Sequence, residues 1–478
     1  MTECNQHPTQ FHPLGRRDVV ASFDGGTISS DGGALLLREL EQRTGIIRRF
    51  AACFTDHRDP ELIEHTVYEL LTQRVFALAL GYEDLNDHDT LRLDPLLAAM
   101  VGKTDPTGGD RLRERDRGGA LAGKSTLNRL ELTPAGADET SRYKKIVAHC
   151  ESIEPVFVDL FIAAHPTPPS RIVLDLDATD DPVHGGQLGR FFHGYYKNYC
   201  FLPLYIFCGE HALCAQLRPA DMDASAGTTT PLKRIVTAIR AAWPAVRIAV
   251  RGDSGFCREQ IMAWCEAEKV DFVFGLAQNK RLKEMLVAEM QQAEAQFKQT
   301  GEASRVFKDF EYRTLDSWSR SRRTVGKAEH LAGGPNPRFI VTSMSREDFD
   351  AATLYEKEYC GRGEMENRIK EQQLYLFADR TSARTMRANQ LRLWFSTLAY
   401  TLLATLRRTA LAGTELATAR CDTIRLKLLK IGTQVRVTVR KVWLSFSAAY
   451  PHRAVFEQVM ANLRRMIPMP PMPTPMRR

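Results

Sequence analysis

The sequence predicts an α/β protein: a mixed β-sheet with helical cover and acidic strand ends, preceded by an all-α N-terminal domain. Three observations predict it. First, residues 171 to 179 (Arg-Ile-Val-Leu-Asp-Leu-Asp-Ala-Thr) form an apolar run of strand length that ends in two aspartates and a threonine. Second, strand patterns at 171–177, 201–208, 211–218, 246–251 and 271–275 are interleaved with helical patterns from Leu232 to Trp243 and from Glu259 to Glu268. Three strands followed by helix-strand-helix-strand make a mixed sheet with helices on its faces. Third, between residues 23 and 165 apolar residues recur at helical spacing, as in Val67, Leu70, Leu71 and Phe76.

The elements follow in order. Residues 1–22 read as an arm. The turn Phe23-Asp24-Gly25-Gly26 precedes Ser30 and Asp31, either of which can cap a helix through Leu35, Leu36 and Leu40. Leu62–Leu80, Leu91–Met100 and Tyr143–Ala164 read as further helices, with a loop rich in Gly, Asp and Arg at 104–119. His165 and the prolines up to Pro169 close this domain as a stiff linker. The sheet-forming segment is 171–275, and the polar stretch 276–335 interrupts it. A strand at Arg338–Thr342 and a long helix from Thr385 to Arg408, with Leu391, Trp394, Leu398 and Leu402 on one face, complete it. Beyond lie a basic region at 409–467, with a strand across Gln434–Trp443 and a helix across Ala454–Met466, and a Met/Pro-rich tail at 468–478 that reads as disordered.

Bulk properties narrow the class. At 478 residues the chain holds two or three domains. The longest uncharged apolar run, Trp394 to Leu406, is 13 residues, short of the roughly 18 that a membrane span needs. Ten cysteines without a CxxC pair fit reduced thiols in a cytosolic protein, neither a disulfide framework nor a zinc site. From Arg407 onward there are 14 Lys+Arg against 3 Asp+Glu, a local charge of +11, so a chain of net +7 carries −4 elsewhere. Such asymmetry fits either a polyanion partner or a solvated basic tail.

Three motifs carry chemistry. Gly118 to Ser125 matches a phosphate loop letter for letter, but the charged segment 110–117 before it cannot be the buried strand that such a loop requires. Asp175-Leu176-Asp177-Ala178-Thr179 after an apolar strand is similar to the first motif of haloacid-dehalogenase-like phosphatases, with Asp175 as nucleophile. The late acidic pair of that family is incomplete at Gly252-Asp253, which makes a phosphatase the second reading. The third motif is the trio Asp177, Asp253 and Glu366, two at strand ends and one opening an amphipathic helix. Three carboxylates suit hard divalent cations, and a pair of such ions can clamp both oxygens of a phosphodiester displacement. Taken singly, Glu366 fits an i,i+4 pair with Lys370 better than a metal site, and Asp253 fits a turn equally well.

Tyr359-x2-Arg362-x3-Glu366 resembles the signature around the third acid of DDE transposases of bacterial insertion sequences. The lysine of that signature, seven residues past the glutamate, is replaced by Gln373, and Lys370 is the nearest basic residue. Further strings extend the resemblance over nearly the whole chain: Phe23-Asp-Gly-Gly, Ser30-Asp-Gly-Gly, His184-Gly-Gly-Gln187, Leu202-Pro-Leu, Leu217-Arg-Pro219 and Arg251-Gly-Asp-Ser-Gly-Phe256. Together they are similar to the insertion-sequence thirteen-eighty family. The resemblance implies an RNase H-like catalytic core at 171–275 and 336–408, with 276–335 as an insertion domain and 23–165 as an end-recognition or dimerisation domain. It implies Asp177, Asp253 and Glu366 as catalytic acids holding two Mg²⁺ ions, with Mn²⁺ as a substitute, and Asp175 and His184 in support. Tyr359, Arg362, Lys370, Arg436 and Arg440 are the expected DNA contacts; for Arg362, pairing with Glu364 is the bland alternative. The expected partners are double-stranded DNA, as terminal inverted repeats and target, and a second copy of the chain in a synaptic dimer. The expected setting is the bacterial cytoplasm at the nucleoid, without a membrane. A remnant that binds DNA but has lost its metal geometry is the remaining alternative.

Overall fold

The structure, a computed structural model, describes residues 8–468. The start of the arm and nearly all of the Met/Pro tail lie outside them. The described chain divides into two compact units, one built chiefly from Ala148–Ala404, the other from the segment up to Ala51, Asp56–Val147 and Thr405–Pro468.

The first unit is organised on a nine-stranded sheet. Its strands are β1 (Arg171–Ala178), β2 (Leu204–Cys208), β3 (His211–Gln216), β4 (Arg247–Gly252), β5 (Asp271–Leu276), β6 (Ser304–Tyr312), β7 (Arg322–Leu331) and β8 (Arg338–Thr342), in the order β3-β2-β1-β4-β5-β8-β7-β6. A two-residue strand, Gly334–Pro335, pairs with β7. β1, β4 and β5 run parallel, and the remaining pairings are antiparallel. The strand patterns of the sequence thus lie side by side. Residues 276–335, expected as a separate insertion, instead supply β6 and β7, which continue the same sheet, and two helices, Lys280–Met285 and Val287–Thr300. The polar composition reflects an outer part of the sheet, where charged side chains pair across strands, as Arg323 does with Asp309 at 2.7 Å.

Alternation sorts each strand onto two faces. On one face Leu174, Leu176, Ile206, Val250, Phe272 and Phe274 pack with Leu232, Ile235 and Ile239 of α1 (Thr229–Ala242). Cys150–Ala163 also packs here, with the ring of Phe161 5.4 Å from that of Trp243. That helix, expected within the N-terminal domain, therefore belongs to the sheet unit. On the other face Ala249, Val273 and Ile340 pack with Leu354 and Tyr355, which begin a helical run over residues 351–375. The helix Met386–Thr405 guards the edge of the sheet. Gln390 accepts from Leu217 N–H at 2.7 Å and donates to Ala215 C=O at 3.0 Å, satisfying backbone groups beside β3.

The second unit is mainly helical but not all-α. Thr66 and Glu69 form a reciprocal cap that starts Val67–Leu80, and left-handed Gly81 ends it. Thr9–Leu14 and Arg17–Ala21 pair as an exposed hairpin inside the expected arm. The Ser30-Asp-Gly-Gly motif does not cap a helix by its side chains. It receives the C-terminal region: a Cβ on Gly33 would fall 1.9 Å from Leu428 C=O, and buried Asp31 pairs with Lys430 at 2.6 Å. The expected strand Gln434–Trp443 is a hairpin, Thr433–Val437 with Val442–Phe446, because Thr438 and Lys441 close a turn. No strand leads into the phosphate-loop look-alike, and Lys124 there pairs with Asp89 at 3.1 Å. Among the described residues no helix is long and apolar enough to cross a membrane, and every described cysteine is a free thiol.

Candidate active site

Alternation assembles the site on the sheet face opposite α1. Arg171, Val173, Asp175 and Asp177 of β1 point the same way, as do Ala249, Arg251 and, one residue past its strand, Asp253. The helical run over 351–375 crosses this face and is tied to it at three levels. Arg171 pairs with Glu358 at 2.7 Å. Arg251 holds Asp175 through two nitrogens, one bond measuring 2.8 Å, and also donates to the carbonyl of Glu358. Arg362 lies 3.6 Å from Asp177 and 2.6 Å from Glu366. A glycine on β5 completes the fit: a Cβ on Gly275 would lie 2.6 Å from the Tyr359 hydroxyl and 3.0 Å from the backbone nitrogen of Ser254. Asp253 turns the chain after β4, accepting from Gly255 N–H at 2.8 Å.

Two of the acids, Asp177 and Glu366, flank one guanidinium, and the charge of Asp253 reaches both Arg362 and Asp177. Burial pushes the Asp177 carboxyl up to about 6; Arg362 opposes this, while Asp253 and Glu366 add to it. Burial alone would lower the Arg362 pKa, but Asp177 and Glu366 outweigh it and raise it. Burial also raises the Tyr359 phenol, with Arg362 opposing and Asp253 reinforcing. The site therefore brings negative charges together, and Arg362 supplies a cation between them. Among the described residues no three His, Cys, Asp or Glu side chains are spaced to hold a metal ion. The donor set of three carboxylates suits a hard cation chemically, while the spacing in this structure is set by the guanidinium between Asp177 and Glu366.

The remaining expected residues fall in different places. Asp175 is 4% exposed and saturated by Arg251, so it does not face a substrate as a phosphatase nucleophile must. Glu366 pairs with Arg362 and not with Lys370, which is exposed at the end of the helix Gly363–Lys370. Gln373, at the position of the signature lysine, donates to Asp180 C=O at 3.1 Å, just past β1. His184 is exposed in the loop that follows β1. Arg436 is exposed on its strand, its guanidinium 5.7 Å from the Trp443 ring centre. Arg440 is also exposed but lies in the turn, so only Arg436 stands on the strand expected to carry both arginines. In the sequence Arg251 stood in a motif without a role of its own, and Gly275 was not singled out. An arginine in an apolar strand, one sheet position from an aspartate, was the available signal for the first.

No curated protein matches the chain. Its fold can be laid over a solved piggyBac transposase synaptic complex with hairpin DNA, at a TM-score of 0.40 and 11% identity, covering 94% of this chain and 87% of that one. The family model for the transposase DDE domain group 1 matches residues 11–468, nearly the whole chain, and the protein belongs to this family of DDE transposases.

Proposed function

We propose that the chain cleaves DNA at the ends of a mobile element of the insertion-sequence thirteen-eighty kind and joins the freed 3′-OH to target DNA, with Asp177, Asp253 and Glu366 as its catalytic acids. The observation that carries this reading is Arg362 bridging strand-end Asp177 and helix Glu366 on one sheet face, with Asp253 near enough for its charge to raise the Asp177 pKa. The order β3-β2-β1-β4-β5, three antiparallel strands and then two parallel to the first, supports an RNase H-like core. Asp177, Asp253 and Glu366 would hold the divalent cations, which when bound supply Lewis acidity and a water of lowered pKa. Arg362 bridges Asp177 and Glu366, and would offer its planar fork to a phosphate when DNA arrives. Tyr359, locked against Gly275, fixes the backbone that presents Asp253. Arg251 anchors the helical run through Asp175 and the Glu358 carbonyl. Lys370, Arg436 and Arg440 would hold duplex DNA by its phosphates, and the mainly helical unit would recognise ends or a second copy.

The test is cleavage of a plasmid that carries the element with its native flanks, in Mg²⁺ or Mn²⁺. Asp177→Asn, Asp253→Asn and Glu366→Gln should each reduce cleavage to background while the proteins stay folded. Full activity of Glu366→Gln would sink the reading. Hydrolysis of a small phosphomonoester that only Asp175→Asn abolishes would install the phosphatase instead.

A further inference from the structure

The loop after β1 does not pack away. Phe191–His193 and Asn198–Phe201 pair as a short antiparallel hairpin, with Phe192 opposite Tyr199. Its root is secure: Cys200 and Phe201 are fully buried, and Asp181–Pro182 pairs with them. Its outer part is not. Leu188, Phe191, Phe192, Tyr195 and Tyr199 are all exposed, Phe192 to 58% and Tyr195 to 83%. Single exposed apolar side chains are ordinary, but five within twelve residues form a patch, and such patches mark binding surfaces.

The chemistry of the patch is specific. The rings meet edge to face, Phe192 and Tyr199 at 5.6 Å and Tyr195 and Tyr196 at 5.0 Å, so each pair shields at most one ring face, and Phe192 and Tyr195 stay exposed. Arg190 lies 4.5 Å over Tyr199. Lys197 and Arg384 are exposed nearby in the fold, the latter bonded through its backbone carbonyl to Leu188 N–H. From His184 to Gly209 there is no carboxylate. Aromatic faces rimmed by cations are what successive unstacked bases and their phosphates recognise. A paired duplex hides its base faces in the stack and offers such a surface little beyond phosphates.

The hairpin is also tied to the acids. Tyr196 donates to Ala178 C=O at 3.3 Å, and Asn198 donates to Asp180 at 3.2 Å, both at the end of the strand that carries Asp177. The charges of Asp180 and Asp177 reach the Tyr196 phenol and reinforce the effect of its burial. We propose that the hairpin over residues 188–201 is a stacking platform for unpaired nucleotides of the DNA end, held beside the acidic site. This rests on the DNA-cleaving reading above. It adds a ligand, the single-stranded or unstacked nucleotides next to the scissile phosphate, and predicts little sequence preference for them, since every base has a π-face.

The test uses the full chain and two fluorescent DNA probes of equal length. One is a blunt duplex; the other ends in three unpaired nucleotides that include 2-aminopurine. The expected result is tighter binding of the frayed probe, with 2-aminopurine quenching. The Phe192→Ala/Tyr195→Ala variant should lose about tenfold in affinity for the frayed probe, together with the quenching, and nothing on the blunt one. Tyr195→Phe should behave as wild type. Equal losses on both probes would overturn the platform, as would a change in oligomeric state by light scattering with frayed-DNA binding intact, which would assign the patch to a second copy. If wild type cleaves the plasmid but ignores fraying, the platform alone fails. If wild type binds neither probe, the DNA-cleaving reading fails with it.

Discussion

Replacing Arg251 by methionine is the sharpest probe of how the site is held. The substitution keeps the bulk of the side chain but leaves Asp175, 4% exposed, as a buried carboxylate without its partner. It also removes the donor to the Glu358 carbonyl, which anchors the helical run carrying Tyr359, Arg362 and Glu366. Burial already raises the Asp175 pKa, with Arg251 as the main opposing influence. Breaking a buried pair by removing one partner costs about 3–5 kcal/mol. For a unit of this size each kcal/mol shifts the melting temperature by about 2–4 °C. Arg251→Met should therefore melt roughly 6–20 °C lower than wild type. The double variant Asp175→Asn/Arg251→Met removes the stranded charge and should recover much of the loss, so the double-mutant cycle should show strong coupling. Thermal unfolding and hydrogen exchange across residues 351–375 are the assays. Exchange in that segment should rise in Arg251→Met, because the Glu358 anchor is gone, and should stay raised in the double variant. A melting point within a degree of wild type, or simple additivity in the cycle, would refute the reasoning.

Other outcomes follow from the same contacts. Gly275→Ala puts a methyl 2.6 Å from the Tyr359 hydroxyl and 3.3 Å from the Asp253 carbonyl carbon; it should cost about 1–3 kcal/mol in denaturant unfolding and lower DNA cleavage through Asp253. Glu41 is buried, accepts from Ile47 and Arg48 N–H, and is pushed by burial from 4.5 up to about 7. The stability held by its protonated form is full below about pH 4.5 and is lost as pH rises through 7, by about 3 kcal/mol at 1.36 per unit. Glu41→Gln should therefore gain stability over wild type as pH rises from 4.5 to 8, and a difference that is flat with pH in urea titrations would count against it. Arg436→Gln with Arg440→Gln should flatten the salt dependence of duplex binding by roughly two units, measured by anisotropy between 50 and 200 mM salt, and an unchanged slope would show that the hairpin does not touch DNA.

The run from Arg171 to Ala178 was legible as a strand, and Asp175 and Asp177 as sharing a face, because strand geometry alone puts every second residue on one side. The strand ending beside Asp253 was legible for the same reason; the helix Met386–Thr405 was legible from its apolar spacing, but it is covered on every side and not along one stripe. These are short-range regularities of backbone and hydrophobicity, and a linear string records them in full. The string does not record which distant segments meet. That β6 and β7 continue the main sheet follows from hydrogen bonds to β8, and their charged composition hid it. That Asp31, Gly32 and Gly33 receive residues 428–433 depends on a close approach across some four hundred residues of chain. In sequence Arg362 had Glu364 as its local partner; folding paired it with Glu366, brought Asp177 within 3.6 Å and made the arginine a bridge between two acids. Local spacing decided which residues point to the same side; long-range packing decided which charges face each other, because electrostatic partners are selected by distance in space and by burial, neither of which is a property of the chain in order.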